Sequence, residues 1–256
     1  MKLITWNVNG IRAWHKKGML KVIEKEAPDV LCLQETKAHK DQVGNELIEP
    51  FQMKSFWSSA VRKGYSGVAT FTKLNHPSHA GIGIDKFDSE GRTVVTQFKD
   101  FKLYNVYFPN GGSGPERHQY KQEFLRAIAK KLKSDIEAGV DVVLVGDYNV
   151  APEEIDVYDP IRLSTMSGFL PEEREWFKEF LSLGLVDTFR ELNPKTLGVY
   201  TWWSMQERAR PANRGWRIDH ICVTKALFKK VKEVIIYQDQ EGSDHCPVGI
   251  TIEGVE

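Results

Sequence analysis

The sequence predicts an α/β fold whose sheet faces are covered by helices or by a second sheet, and three observations predict it. Short apolar runs of strand character recur at residues 3–7, 30–34, 67–72, 81–84, 93–98, 103–108, 142–145, 218–223, 234–237 and 248–252, too many for one small sheet. Segments of helical period lie between them. No Pro/Ser-rich or single-charge linker interrupts the alternation, so residues 1–256 are expected to form one domain.

Along the chain, the strands at 3–7 and 30–34 are separated by a helical pattern near 19–25 that Pro28 stops. Four strands then follow. A long helix opens at Pro115 after Gly114, carries Tyr120, Phe124, Ile128, Leu132 and Ile136 at every fourth position, and is closed by Gly139. Next, Val142, Val143, Leu144 and Val145 form a branched apolar run bounded by Gly139 and Gly146, the signature of a buried strand. Alternation aims Asp147 and Asn149 the same way, into a cleft at the strand's end. A third helix covers about 171–183, where Trp176, Phe177, Phe180 and Leu181 form an apolar stripe of core residues. Strands at 218–223, 234–237 and 248–252 complete the set.

With 41% hydrophobic and 27% charged residues the composition is that of a globular protein, and no apolar run is long enough to cross a bilayer. No membrane partner is expected. Lys+Arg 35 against Asp+Glu 35 exerts no overall pull on polyanions, so nucleic-acid binding would need a local basic face. Cys32, Cys222 and Cys246 lie in or beside apolar runs and read as reduced core thiols. A first strand starting at Leu3 leaves no room for a leader, so a cytoplasmic protein is expected. His220, Cys222, His245 and Cys246 are metal-ligand types, but without CxxC or HxxxH spacing they do not announce structural zinc.

The ends of the strands carry the chemistry. Asn7 and Asn9 follow the first strand, Glu35 the second, Tyr107 and Asn110 close the strand at 103–108, and Asp147 and Asn149 end the buried run. Asp219 is embedded in the strand at 218–223, and Asp244-His245 precede the last one. Each has an ordinary account alone: Asn9-Gly10 is a turn signal, Glu35 a surface acid, His245 a structural histidine. Six segments ending alike point to a metal or phosphate site.

The motifs WNVNG at 6–10, LQETK at 33–37, YFPN at 107–110, GDYNVAP at 146–152, DTFR at 187–190, YTWW at 200–203, GWRIDH at 215–220 and GSDHCP at 242–247 span nearly the whole chain. In this order they resemble the exonuclease III type of apurinic/apyrimidinic endonuclease, within the larger group that includes DNase I, sphingomyelinases and inositol polyphosphate phosphatases. GD-x-N and SDH are common to the larger group; GWRID, YTWW and LQETK narrow the likeness to the DNA-repair branch.

The resemblance implies a four-layer sandwich of two packed mixed β-sheets flanked by helices, with the site at one rim. It also implies a monomeric enzyme acting on double-stranded DNA. Cleavage would fall 5′ to an abasic site, leaving a 3′-hydroxyl and a 5′-deoxyribose phosphate, with 3′-to-5′ exonuclease and 3′ end-cleaning activity besides. The metal would be Mg²⁺, with Mn²⁺ able to substitute, because the donors are carboxylate and amide oxygens. Glu35 would be the main metal ligand, with Asn9 approaching the metal and Asp244 supporting the metal region or His245. The pair His245 and Asp219 would contact the scissile phosphate as an oriented imidazolium. Asp147 would serve the attacking water or the leaving oxygen, positioned with phosphate and water by Asn149 and Asn7. Tyr107 and Asn110 would hydrogen-bond the phosphate.

The resemblance implies that Trp202, Trp216 and Ile218 form the family's apolar pocket for an extrahelical abasic sugar, with core packing the ordinary account of Trp202, whereas Trp203 reads as core. The loop 205–214 carries Arg208, Arg210 and Arg214, a solvated loop or a contact to DNA backbone or groove. Gln206 stands where some relatives have an apolar wedge. Lys37 and Arg62-Lys63 would extend the phosphate-binding face. Gly111 to Gly114 before Pro115 is either an anion-binding helix entrance or a flexible linker with a cap. The rival readings are a phosphatase or phospholipase of the larger group and a damage-binding protein without catalysis.

Overall fold

A computed structural model describes residues 1–256. Its strands, in chain order, are β1 (Lys2–Asn7), β2 (Val30–Gln34), β3 (Lys54–Ser58), β4 (Val68–Thr72), β5 (Ser78–Ala80), β6 (Thr93–Gln97), β7 (Lys102–Tyr107), β8 (Val142–Asp147), β9 (Leu185–Asp187), β10 (Trp202–Trp203), β11 (Gly215–Trp216), β12 (Asp219–Thr224), β13 (Val231–Ile236) and β14 (Val248–Ile252). One six-stranded sheet has the order β13-β14-β1-β2-β4-β3, the other β5-β6-β7-β8-β12-β9, and β10-β11 form a separate ribbon. Each large sheet is mixed, with a single parallel pair at its centre: β1 with β2, and β7 with β8.

Period-two alternation builds the layers. On β1, Leu3 packs between the sheets while Ile4 and Trp6 face the outer helices; on β8, Val143 and Val145 point between the sheets, Val142 and Leu144 outward. The inter-sheet core joins Leu3, Cys32, Val248 and Ile250 of one sheet to Leu103, Val145 and Ile221 of the other. Outside the second sheet lies a core made with the helices Pro115–Glu137 and Pro171–Ser182; outside the first, a smaller one made with helices Ile11–Lys16 and Leu20–Glu26. The result is the expected helix, sheet, sheet, helix sandwich. Each fully buried aliphatic or aromatic side chain contributes about 1.5–3 kcal/mol.

Several elements differ from expectation. Residues 81–84 form no strand: Gly81 and Gly83 have φ of 78° and 83°, and Asp88 accepts the backbone N–H groups of Ile82, Gly83 and Ile84 at 2.8–3.0 Å, which holds a loop instead. The edge strands β3 and β9 have no apolar run to announce them, since β3 alternates weakly and β9 has three residues. The helix Ile11–Lys16 is likewise short, with only Ile11 and Trp14 buried.

The parallel pairs matter for function because all four of their strands finish at one rim. Asn7 stands beside Gln34, and Tyr107 beside Asp147, with Asp219 opposite Asp147 on β12. Gly146 permits the close approach of β8 to β7: a Cβ there would lie 1.9 Å from the Val106 carbonyl oxygen.

Candidate active site

The chain turns sharply as it leaves these strands. Asn9, Glu35, Lys37 and Asn149 adopt left-handed φ of 45°, 50°, 49° and 51°, a conformation that side chains other than glycine enter only when their surroundings impose it. At Asn9 and Glu35 the turns lock each other, because Gly10 N–H donates to the Glu35 carbonyl at 2.7 Å and Ile11 N–H to that of Thr36 at 3.0 Å. At Asn149 the backbone N–H caps Asp147 Oδ1 at 2.9 Å, and the side chain's Nδ2 donates to the Phe108 carbonyl at 2.9 Å.

Asn7 Nδ2 donates to both Glu35 Oε1 and Asp147 Oδ2, each at 2.9 Å, and so ties the two sheets together inside the site. Lys37 Nζ lies 2.9 Å from Glu35 Oε2 and donates to Asn9 Oδ1 at 2.5 Å. Asn9 Nδ2 in turn donates to Asp244 Oδ1 at 2.9 Å, whose other oxygen accepts from Trp202 Nε1 at 3.1 Å. Asn110 Nδ2 reaches Asn149 Oδ1 at 3.2 Å. Thus Asn7, Asn9, Glu35, Lys37, Asn110, Asp147, Asn149, Asp244 and Trp202 form one connected network.

His245 is buried, with Nδ1 2.8 Å from Asp219 Oδ2 and Nε2 3.8 Å from Asp147 Oδ2. Burial disfavours its charged form, but the carboxylates of Asp219 and then Asp147 outweigh this and raise its pKa to about 10. It is an imidazolium near neutral pH. Burial also raises Asp147, to about 7, with Asp219 and Glu35 adding to the rise and His245 resisting it. Asp244 moves the other way: burial pushes it up, but His245 and the donors Asn9 and Trp202 hold it below the ordinary carboxylate range. Burial, and after it the Glu35 carboxylate, keeps the Tyr107 phenol protonated well above its usual pKa.

Glu35, Tyr107, Asp147, Asp244 and His245 share a cleft of about 360 Å³ with Trp202, Trp216 and Ile218. The indoles of Trp202 and Trp216 meet edge to face, centroids 6.2 Å apart, where β10 pairs with β11. Thr201 Oγ1 accepts the N–H groups of both Ile218 and Asp219 at 3.0 Å, fixing the passage from apolar wall to acid. Trp203, as expected, is core.

The arginine loop is placed differently. Arg210 stacks on Trp203, 4.4 Å from the ring centroid, and donates to the carbonyls of Ser243, Gln238 and Gln240 at 3.1, 2.8 and 2.6 Å. Its guanidinium is directed at backbone carbonyls and holds the loop before His245. Arg214 donates to Glu207 O in its own loop, and neither it nor Arg208 lines the cleft. Lys37 borders a neighbouring groove of about 600 Å³ with Arg12, His15 and Lys16. His220 lies away from His245, its ring nitrogens 2.9 Å from Arg217 Nη1 and 2.8 Å from the Val150 carbonyl.

The sequence reading missed the segment Met166–Gly168, which forms one side of the cleft, and the buried pair Lys121 and Glu173 behind it. The pair had a signal. Lys121 sits four residues before Leu125 and Glu173 three before Trp176, so each interrupts the apolar stripe of its helix.

Chemically, one side-chain atom from each of Glu35, Asp147 and His245 lies within 4.8 Å of the others; the imidazolium has no lone pair to offer, so the carboxylate oxygens are the donors for a cation and the charged ring faces a phosphate. That set fits a hard divalent cation beside a phosphate. Two packed mixed sheets with such a cleft at their rim define a phosphoester hydrolase. Residues 4–245 match the Endonuclease/Exonuclease/phosphatase family, and the chain belongs to it. It is 40% identical over 255 residues to an exodeoxyribonuclease of Bacillus subtilis (strain 168), covering 98% of this chain and 99% of that one. It is 36% identical over 256 residues to a DNA-(apurinic or apyrimidinic site) endonuclease of Dictyostelium discoideum, covering 99% and 71%. The solved 3′-5′ exonuclease from Neisseria meningitidis superposes with a TM-score of 0.90 at 29% identity, over 98% and 99% of the two chains.

Proposed function

We propose that this chain is a base-excision-repair nuclease that hydrolyses duplex DNA 5′ to an abasic site and trims 3′ ends. The observation that carries the reading is the sharing of one cleft by the Glu35, Asp147, His245 cluster and the Trp202, Trp216, Ile218 wall. A charged centre alone would suit any phosphoester; the adjoining apolar wall suits a sugar that has lost its base and flips out cheaply.

Glu35, with Asn9 near it and Asp244 supporting the region, would hold Mg²⁺, or Mn²⁺ in its place. The chemistry the cation supplies is neutralisation of the phosphate's negative charge. The protein's own groups do the rest. His245, charged and oriented through Nδ1 by Asp219, presents Nε2 to a phosphate oxygen. Tyr107 and Asn110 donate hydrogen bonds to the same group. Asp147, with a pKa near the working pH and both oxygens fixed by Asn7 and Asn149, takes the proton from the attacking water. The chain acts as one catalytic domain over residues 1–256, as a monomer, in the cytoplasm beside the chromosome.

The test is a labelled duplex carrying one abasic analogue, incubated with Mg²⁺ and with EDTA beside an undamaged duplex and a phosphoinositide. Nicking of the abasic strand alone, only with Mg²⁺, is the expected result. Binding without nicking would leave a damage-binding protein, and phosphoinositide hydrolysis a phosphatase.

A further inference from the structure

Behind the cleft, the ammonium of Lys121 and the carboxylate of Glu173 form an ion pair with no solvent exposure on either side chain, Nζ lying 2.5 Å from Oε1. Burying two charges is costly, and such a pair is weak evidence for stability by itself. Its remaining hydrogen bonds go to the Asn149 carbonyl and to the segment Ser167–Leu170. Lys121 Nζ donates to the carbonyl of Asn149 at 2.7 Å, at the residue whose φ is +51°. Glu173 Oε2 accepts the N–H groups of Gly168 at 2.5 Å and Leu170 at 3.1 Å, while Oε1 accepts from Ser167 Oγ at 3.3 Å.

Those contacts reach both halves of the cleft. Gly168 is packed so closely that a Cβ on it would lie 3.2 Å from the Asn149 carbonyl and 3.3 Å from the Trp216 ring. Its own carbonyl accepts from Ala151 N–H at 2.7 Å. One buried pair, bridging two helices, therefore fixes the backbone of Asn149 and the segment against which Trp216 rests.

We propose that Lys121, held by Glu173, is a positioning residue for the reaction: its donated hydrogen bond keeps Asn149 left-handed, so that the Asn149 amide stays aimed at Asp147 and Asn110. The inference rests on the nuclease reading above. Without that donor the Asn149 carbonyl is buried and unsatisfied, and the residue relaxes towards an ordinary conformation that carries its side chain away from Asp147.

The test compares two double variants of the full chain. Lys121→Met with Glu173→Leu removes both charges and every side-chain donor, and the apolar replacements fill the volume. Lys121→Gln with Glu173→Gln also removes both charges but keeps an N–H group at position 121. On abasic duplex with Mg²⁺, the Met/Leu protein should lose at least tenfold in kcat with KM within threefold. The Gln/Gln protein should stay within threefold of wild type in both. In Asn149→Ala protein, the Met/Leu exchange should cost less than threefold more, because the residue through which Lys121 acts is already gone. The Asn149 side-chain amide resonances should shift in the Met/Leu protein and hold their place in the Gln/Gln protein.

A Met/Leu protein with wild-type kcat, or one whose loss adds fully to that of Asn149→Ala, overturns the proposal. If the Met/Leu protein does not fold, a Gln/Gln protein that folds yet loses tenfold in kcat with Asn149 resonances unmoved overturns it as well. Should wild type fail to nick abasic DNA, the nuclease reading fails by itself, and the amide resonances still decide the role of Lys121.

Discussion

Asn7 Nδ2 stands 2.9 Å from Asp147 Oδ2 and joins the last residue of β1 in one sheet to the last residue of β8 in the other. The same nitrogen serves Glu35, so a neutral donor separates two carboxylates that would otherwise repel. Asn7→Asp replaces that donor by a third negative charge. In EDTA the variant is expected to lose up to about 4 kcal/mol, a fall of roughly 5–10 °C in melting temperature for a chain of this size. Mg²⁺ should restore most of the difference, giving the variant a larger metal-induced shift than wild type. Equal shifts in the two proteins, read by calorimetry, would mean that the cation does not sit among these groups.

His245 and Asp219 make a second prediction. Asp219→Asn keeps the volume but removes the charge that orients and retains the imidazolium. A positioned acid–base or charge-bearing histidine contributes about 10²–10⁴-fold to rate, so single-turnover cleavage should slow within that range. Affinity for abasic duplex, measured by anisotropy, should change little. A variant within threefold of wild type in rate would remove the pair from the chemistry.

How far the sequence could be read depended on what each residue advertises. The strands β1, β2 and β8 are legible because they are buried on both faces and therefore mostly apolar before their polar ends, whose residues can be placed by alternation. The edge strand β3, with Lys54 and Phe56 exposed, carries almost no such pattern. Arg210 is ambiguous in sequence for a different reason. A guanidinium looks the same in sequence whether it faces phosphate or three backbone carbonyls, and only the fold brings residues 238–243 up to it. Arg217 and Asp156 are fully buried for the same non-local cause.

Arg210 gives the third prediction. Arg210→Ala should destabilise the protein by about 1–3 kcal/mol, as three carbonyl oxygens lose their donor. The dependence of log Kd on log salt concentration for duplex DNA should be unchanged. Lys37→Ala should do the reverse, lowering that slope by about one phosphate contact. A reduced slope for Arg210→Ala would return this arginine to the DNA interface.

Trp216 forms the apolar wall with Trp202 and Ile218, and it also packs against Phe169, their centroids 6.4 Å apart. Trp216→Ala should therefore show two effects. Loss of a buried indole costs about 3–5 kcal/mol of stability. Widening the pocket should also reduce the preference for abasic over intact duplex, by roughly tenfold or more if size exclusion sets the selectivity. Competition cleavage with both duplexes in one tube measures this directly, and an unaltered ratio would free Trp216 from recognition.

The last prediction concerns acid stability, which follows from Arg217 lying between Asp156 and Asp187. Arg217 Nε is 2.7 Å from Asp156 Oδ1 and Nη2 is 2.8 Å from Asp187 Oδ2, all three side chains being buried. Burial alone would push both acids up, but the Arg217 charge more than offsets this, assisted at Asp156 by Arg190 and at Asp187 by His220, and both pKa values fall below the ordinary range. Depressed carboxylates add stability that is fully present above the unfolded value near pH 4 and is lost as the pH falls through the folded values. Each such group steepens the acid limb by at most about 1.4 kcal/mol per pH unit. Asp187→Asn should therefore be less stable than wild type at pH 7, because Arg217 keeps its charge and loses a carboxylate. Between pH 4 and 2 its stability should fall less steeply, by up to about that amount per unit. The difference between the two proteins isolates Asp187 from the other paired acids. Urea unfolding at half-unit pH intervals measures it, and parallel acid limbs would show that Asp187 is not held ionised by Arg217.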